Sequence, residues 1–410
     1  MSEKKQKKKR KQSKFLYKLT AFLSGVVARH IFKRKFLRNE IKGKEGPFVV
    51  LATHEAALDF TTLIGATRTP MTFVISESFY STMPKIVRAV MTRIGVIPKQ
   101  QFQTSITDIK RMRETIEDGR ILVIYPAGLM CEDGLSTPIP EATYKFIQWI
   151  GADVYVAKTI GTYFVAPKWS KKKRPGRTYL DIYRLLSKEE LSDMPLEEVR
   201  EKAESALLFD AYREQEKLLI KYKNGDNIEG IENVLYMCPH CNTEFSTRVR
   251  NKNVIYCTEC GYELLSDEYG FLHKDDGMDG IKRYVSDWST AIYDNLKVRA
   301  EADPDMMLSA KTKFHLIDKE KNKYCEVGDG EITLTRDAFL IKGVISGEEV
   351  ELSASTANFI SLPFTPGKHL EIQRGKTSYR CVLEDGRLVM KFVNLVKIFY
   401  ELRREKITRC

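Results

Sequence analysis

From Phe48 to about Leu219, short apolar runs alternate with stretches whose apolar positions recur at helical spacing. That alternation predicts an α/β layer with a mostly parallel sheet flanked by helices. The runs place strands at 48–53, 71–75, 121–125, 153–158 and 177–184. Helices are expected over Asp59–Ala66, Pro84–Ile94, Ser105–Glu117 and Glu141–Ile150, several with Pro, Ser or Asp at their starts. Pro195–Lys221 reads as one long charged amphipathic helix closing the region.

Turn residues Asn224-Gly225-Asp226-Asn227 and Gly230 then break the pattern. Beyond residue 308 it turns β-rich, with runs at Lys313–Ile317, Gly330–Thr335, Phe339–Lys342, Glu349–Leu352, Phe359–Leu362, His369–Arg374 and Ser378–Leu383. One helical period, Arg387–Arg404, ends it. Strands capped by a single carboxyl-terminal helix resemble a PH or GRAM-like module. The expected organisation is therefore a basic arm and interfacial helix at 1–45, an α/β domain at 46–223, a cysteine-bearing unit at 232–272 and the β-rich module at 308–404.

With 410 residues, 43% hydrophobic and 30% charged, the chain has the composition of a globular protein with two or three cores. Its net charge of +12 is uneven, because residues 1–45 hold 16 Lys and Arg against Glu3, Glu40 and Glu45. The remaining body is near neutral. Lys4–Lys14 is a low-complexity basic run, and Phe15–Ala28 behind it is an apolar stretch too short and interrupted to span a bilayer. A basic amphipathic helix of this kind lies in the membrane interface, cations on anionic headgroups. No small-residue cleavage pattern follows before Arg29–Lys35, which argues against export. The expected place is the cytoplasmic face of a membrane, peripherally attached. A nucleic-acid partner is disfavoured by the neutral body.

Four of the eight cysteines form two CxxC knuckles, Cys238/Cys241 and Cys257/Cys260, fifteen residues apart. That is zinc-ribbon spacing, and four thiolates make a closed tetrahedral site for a structural Zn2+ with no open position for catalysis. Cys131, Cys325, Cys381 and Cys410 are scattered, as in a reducing compartment.

The chemistry is expected where strand 48–53 runs into Thr53-His54-Glu55-Ala56-Ala57-Leu58-Asp59. Asp59, five residues after His54 on the first turn of the next helix, can hold the imidazole in one tautomer. The other nitrogen is then free to take a proton from an alcohol. A second strand, Ile121–Tyr125, breaks into Pro126-Ala127-Gly128-Leu129-Met130. Parallel strands bring both loops to one edge, where α/β sheets place their ligands.

With those two blocks, residues 15–220 resemble the glycerolipid acyltransferases, the family that includes 1-acylglycerol-3-phosphate acyltransferases. The family's first motif, a His and an Asp separated by four residues, is matched by His54 and Asp59. Its Phe-Pro-Glu-Gly-Thr-Arg block corresponds to Tyr125–Met130, where Pro126 and Gly128 fit, Ala127 replaces Glu and Leu129-Met130 replace Thr-Arg. Gly95–Gln101 stands at the Gly-x-Ile-Phe-x-x-Arg motif with Lys99 as its cation. Val154–Lys158 stands at the fourth motif, Ala157 replacing Pro and Lys158 offering a second cation. The resemblance implies transfer of an acyl chain from acyl-CoA or acyl-carrier protein to a hydroxyl of a lysophospholipid or other glycerolipid. His54 would be the base and Asp59 its orienter, with backbone N–H groups near Ala127 and Gly128 facing the oxyanion. The alternative is a lipid-binding scaffold of the same fold that has lost its acceptor site. Oligomeric state is left open.

Overall fold

The computed structural model describes residues 12–101, 105–274, 284–357, 359–375 and 377–409. Most of the basic run, Lys4–Lys11, and Cys410 lie outside the described residues.

The first sheet contains β1 (Arg34–Asn39), β2 (Phe48–Ala52), β3 (Met71–Ser76), β4 (Ile97–Lys99), β5 (Ile121–Ile124), β6 (Asp153–Ile160) and β7 (Thr178–Leu186), in the order β1-β7-β6-β2-β5-β3-β4. Pairing is parallel throughout except between β6 and β7. Both faces are covered. On β2, Phe48, Val50 and Ala52 enter one apolar core while Val49 and Leu51 enter another. A strand buried on both sides is why its sequence reads as a continuous apolar run.

Helices Lys85–Arg93, Ile106–Glu117 and Glu141–Ile150 lie where expected, and the helix after Asp59 is trimmed to Phe60–Ile64. The long helix expected over Pro195–Lys221 is two, Leu196–Leu207 and Ala211–Leu218. The chain is diverted at Phe209 and Asp210. Phe209 exchanges hydrogen bonds with Ser136, and Asp210 accepts from the N–H groups of Tyr212 and Arg213 as the cap of the second helix. Helical periodicity continued across the break, so pattern alone could not locate it. Edge strands β1 and β4 escaped the sequence reading because neither carries a continuous apolar run.

Four short antiparallel strands, Thr247–Arg250, Val254–Cys257, Glu263–Ser266 and Leu272–His273, follow the first knuckle. The helix Val285–Ala302 comes next and was not anticipated. The β-rich segment is a seven-stranded antiparallel sheet from Leu308 to Leu383, followed by the helix Leu388–Arg409. Phe359–Leu362, expected as a strand, is a bend, and the short strand falls instead at Phe364–Thr365.

One apolar core runs from Phe32 and Cys131 through Tyr236 and Trp288 to Phe339 and Phe399. The cysteine-bearing unit and the β-rich module are thereby packed onto the loop after β5 and the segment Tyr163–Trp169 after β6. Lys397 Nζ meets Glu132 at 2.6 Å, which fastens the carboxyl-terminal helix to the loop after β5.

Candidate functional site

β2 and β5 are neighbours in parallel register, so both deliver their following loops to one edge of the sheet. Thr53 keeps the first loop in line: its N–H donates to the Ala157 carbonyl, and its hydroxyl lies 2.9 Å from that of Thr159. His54 follows. Its Nδ1 lies 3.1 and 3.0 Å from the two carboxylate oxygens of Asp59.

Asp59 stands at the amino-terminal cap of Phe60–Ile64, but its side chain makes no capping bond to that helix. The carboxylate turns back instead, accepting from the N–H groups of Glu55 at 2.8 Å and Ala56 at 3.1 Å as well as from His54. These bonds fix the loop around a fully buried carboxylate. With Asp59 accepting at Nδ1, the proton sits on Nδ1 and the Nε2 lone pair is left available. The imidazole retains 22% of its side-chain exposure and packs on the Tyr125 ring at a centroid distance of 4.8 Å.

Glu55 was read only as a spacer between the two. It is buried, and its Oε2 accepts from the Thr162 hydroxyl at 2.8 Å and the Tyr163 N–H at 2.9 Å. Burial pushes its carboxyl up to about 7, against the pull of those two donors. A carboxylate next to a candidate catalytic histidine is easily taken for chemistry. Here it ties the loop to the segment after β6. Cys131 also braces the loop, its N–H donating to the His54 carbonyl and its thiol facing the Glu55 carbonyl at 3.5 Å. Burial raises that thiol's pKa well above its ordinary value.

The loop after β5 turns at Gly128, whose φ of +69° is the left-handed region that favours glycine. The Gly128 N–H donates to Tyr125, and its carbonyl accepts from Gln101 Nε2 at 2.6 Å. Gly128 N–H is therefore already engaged, a departure from its expected role toward an oxyanion.

His54, Lys99 and the 126–130 loop share the wall of one cleft of about 1990 Å3. Much of that wall is apolar, including Phe73, Ile75, Met83, Met91, Phe146 and Trp149. Lys99 is largely buried, which lowers its pKa. Lys158 is not on this wall; its ammonium lies 3.6 Å from Glu214, so the expectation of a second cation there is not met. The sequence reading also missed that the β-rich module closes the cleft from the other side, with Phe359, Phe364 and Arg374 among its lining residues.

Away from the cleft, the Sγ atoms of Cys238, Cys241, Cys257 and Cys260 lie within 4.8 Å of one another. The Cys238–Cys260 and Cys241–Cys257 separations are both 3.7 Å. A tetrahedron with Zn–S bonds of about 2.3 Å has edges of about 3.8 Å, so the four sulfurs fit a metal of that size. His240 stacks on Tyr262 beside the cluster.

Residues 33–158 match the family model described as Acyltransferase. No curated protein sequence matches the chain. Among solved structures, the chain is similar to the 1-acyl-sn-glycerophosphate acyltransferase PlsC from Thermotoga maritima, with 17% identity and a TM-score of 0.38 over 47% of this chain and 76% of that one. It is also similar to the Ran binding domain of Nup2 from Ashbya gossypii, with 16% identity and a TM-score of 0.20 over 24% of this chain and 97% of that one.

Proposed function

Starting from a chain that carries an acyltransferase-family domain over residues 33–158, we propose that it transfers an acyl group from acyl-CoA or acyl-carrier protein to a hydroxyl of a lysophospholipid or related glycerolipid. The carrying observation is His54 on the cleft wall, with Nδ1 held by the buried Asp59 carboxylate behind it and Nε2 left to act as base. Nε2 takes the acceptor's hydroxyl proton as the oxygen attacks the thioester carbonyl. Asp59 stabilises the imidazolium that forms. The tetrahedral intermediate then collapses with loss of the thiol, to which the imidazolium returns the proton. With Gly128 N–H engaged, the Ala127 N–H is the backbone candidate for the oxyanion. The apolar wall suits an acyl chain.

The reading includes a membrane. The amino-terminal helix Lys14–His30 buries Tyr17, Ala21 and Ala28 against the domain, yet turns Phe15, Leu19, Phe22 and Leu23 to solvent. A helix with two apolar faces has one for the protein and one for another apolar phase. Among the described residues no helix is long and apolar enough to cross a membrane. Attachment is therefore proposed at the interface, on the cytoplasmic face, with the basic residues toward anionic lipid. Zn2+ is proposed at the four cysteines, where it would hold the small strands together and take no part in the transfer.

The test is ester formation by the purified chain with a panel of acyl-CoA and acyl-carrier-protein donors and lysophospholipid or glycerol phosphate acceptors. Turnover with none of these pairs overturns the enzymatic reading. Lipid binding that survives would then favour the scaffold.

A further inference from the structure

Lys168 lies just beyond the short helix Thr162–Val165 and lines the cleft. Its Nζ is shielded from solvent and has no hydrogen-bond partner among the described residues. An ammonium has three donors, and leaving them unmade in a buried place is costly. Beneath it is the Phe364 ring of the β-rich module, 3.3 Å from Nζ to centroid.

The acidic groups nearby, Glu132 and Asp133, offset its charge, but neither accepts a hydrogen bond from it. Glu132 is engaged with Lys397 at 2.6 Å. Asp133 is pushed up to about 6 by burial and by Glu132. Both belong to the segment whose Cys131 braces His54, so the ammonium faces the same loop system as the dyad. The cations expected for an acceptor phosphate are, meanwhile, missing at Leu129 and Met130.

We propose that Lys168 anchors the phosphate of a phosphate-bearing acceptor, in a site built jointly by the acyltransferase domain and the β-rich module. This assignment rests on the acyl-transfer reading for the word acceptor, but not for the anion site itself. The phosphate accepts from the N–H donors of Lys168 that have no hydrogen-bond partner, and the face of the module's Phe364 ring holds the ammonium from the other side. The module is thus part of the substrate site.

Burial lowers the pKa of Lys168 to about 8, with Glu132 pulling it up and Lys397 adding to the lowering. The other groups around it hold their charge above neutrality. His369 is pushed down to about 3 by burial, Cys131 is raised, Lys397 is raised by Glu132 in spite of burial, and Glu132 is lowered by the two lysines in spite of burial. A phosphomonoester, with a second pKa near 6, is already dianionic there. Burial also lowers the pKa of Lys99 on the same cleft, so between roughly pH 7.5 and 9.5 the change in binding that belongs to Lys168 is the part that Lys168→Met removes.

Calorimetric titration of the full chain tests this with three soluble probes: monohexanoylglycerol 3-phosphate, monohexanoylglycerol and CoA. Lys168→Met should weaken the phosphate-bearing probe about 10- to 100-fold and leave the other two unchanged. Lys168→Arg should retain most of the affinity. Methionine keeps the shape of the stem and removes a buried charge, and the melting temperature without ligand checks its fold. The wild type gives a second measure: affinity for the phosphate-bearing probe should fall up to about tenfold per pH unit above pH 8. Equal affinity of Lys168→Met and wild type overturns the proposal, as does a flat wild-type pH profile. Loss of CoA binding with the phosphate probe spared places the lysine on the donor and overturns it too. Binding through Lys168 without any ester formation would instead count against acyl transfer and leave the anion site standing.

Discussion

Replacing Lys397 by methionine should cost about 3–5 kcal/mol of folding stability, the penalty for stranding one member of a buried ion pair. The side chains of Glu132 and Lys397 are 6% and 17% exposed and meet at 2.6 Å. Burial acts to raise the Glu132 pKa, yet Lys397 and Lys168 outweigh it and hold the carboxyl below its usual range. Methionine preserves the stem's packing and removes only the compensating charge. Unfolding entropy of about 2.1 cal/mol/K per residue gives about 0.9 kcal/mol/K for a chain of this length, so the melting temperature should fall by about 3–6 °C. The shift is worked for a chain that unfolds as one cooperative unit, which agreement of the calorimetric and van't Hoff enthalpies checks. Scanning calorimetry of Lys397→Met, Glu132→Gln and the double variant provides the cycle. The double variant should recover most of the loss. The sign with pH follows from the lowered Glu132 pKa: the pair's contribution is present above the unfolded carboxyl pKa and lost as pH falls through the folded one, so the penalty shrinks on acidification. A single-variant cost below about 1 kcal/mol, or strict additivity in the cycle, refutes the claim that this pair fastens the carboxyl-terminal helix to the loop after β5.

Glu55→Gln should gain stability relative to wild type as pH rises from 5 to 8, because a carboxyl raised to about 7 binds more protons folded than unfolded and loses stability across that window; parallel melting curves against pH would contradict it. Metal analysis should find one zinc per chain, and chelation should unfold the Cys238–Cys260 unit, measured by loss of near-ultraviolet circular dichroism; an unchanged spectrum in metal-free protein would count against a structural ion. Phe22→Asp should weaken sedimentation with anionic vesicles about tenfold or more, from the loss of one buried aromatic at the interface, without lowering the melting temperature, since Phe22 is 64% exposed.

The parallel sheet was legible because strands buried on both faces leave uninterrupted apolar runs, as at Phe48–Ala52 and Ile121–Ile124. The His54–Asp59 contact was legible for a related reason: a strand end and the first turn of the next helix are local, and five residues suffice to bring them together. The four cysteines were legible from spacing alone. Non-local features were not. Nothing near Lys168 announces Phe364, because their contact joins segments far apart in the chain. Lys158 and Lys99 looked equivalent as cations after strands, but β6 directs Lys158 to Glu214 whereas the edge strand β4 leaves Lys99 on the cleft. Glu55 was passed over for the same reason, since its partners Thr162 and Tyr163 arrive only with the fold.

The central claim, that His54 is the base of an acyl transfer, is tested most directly by mass spectrometry of lipids from cells expressing wild type or His54→Ala at matched levels. The account predicts a diacyl product that accumulates with wild type, while its lyso-precursor falls, and that is absent with His54→Ala. Identical lipid profiles, or product formed equally by the alanine variant, would contradict it.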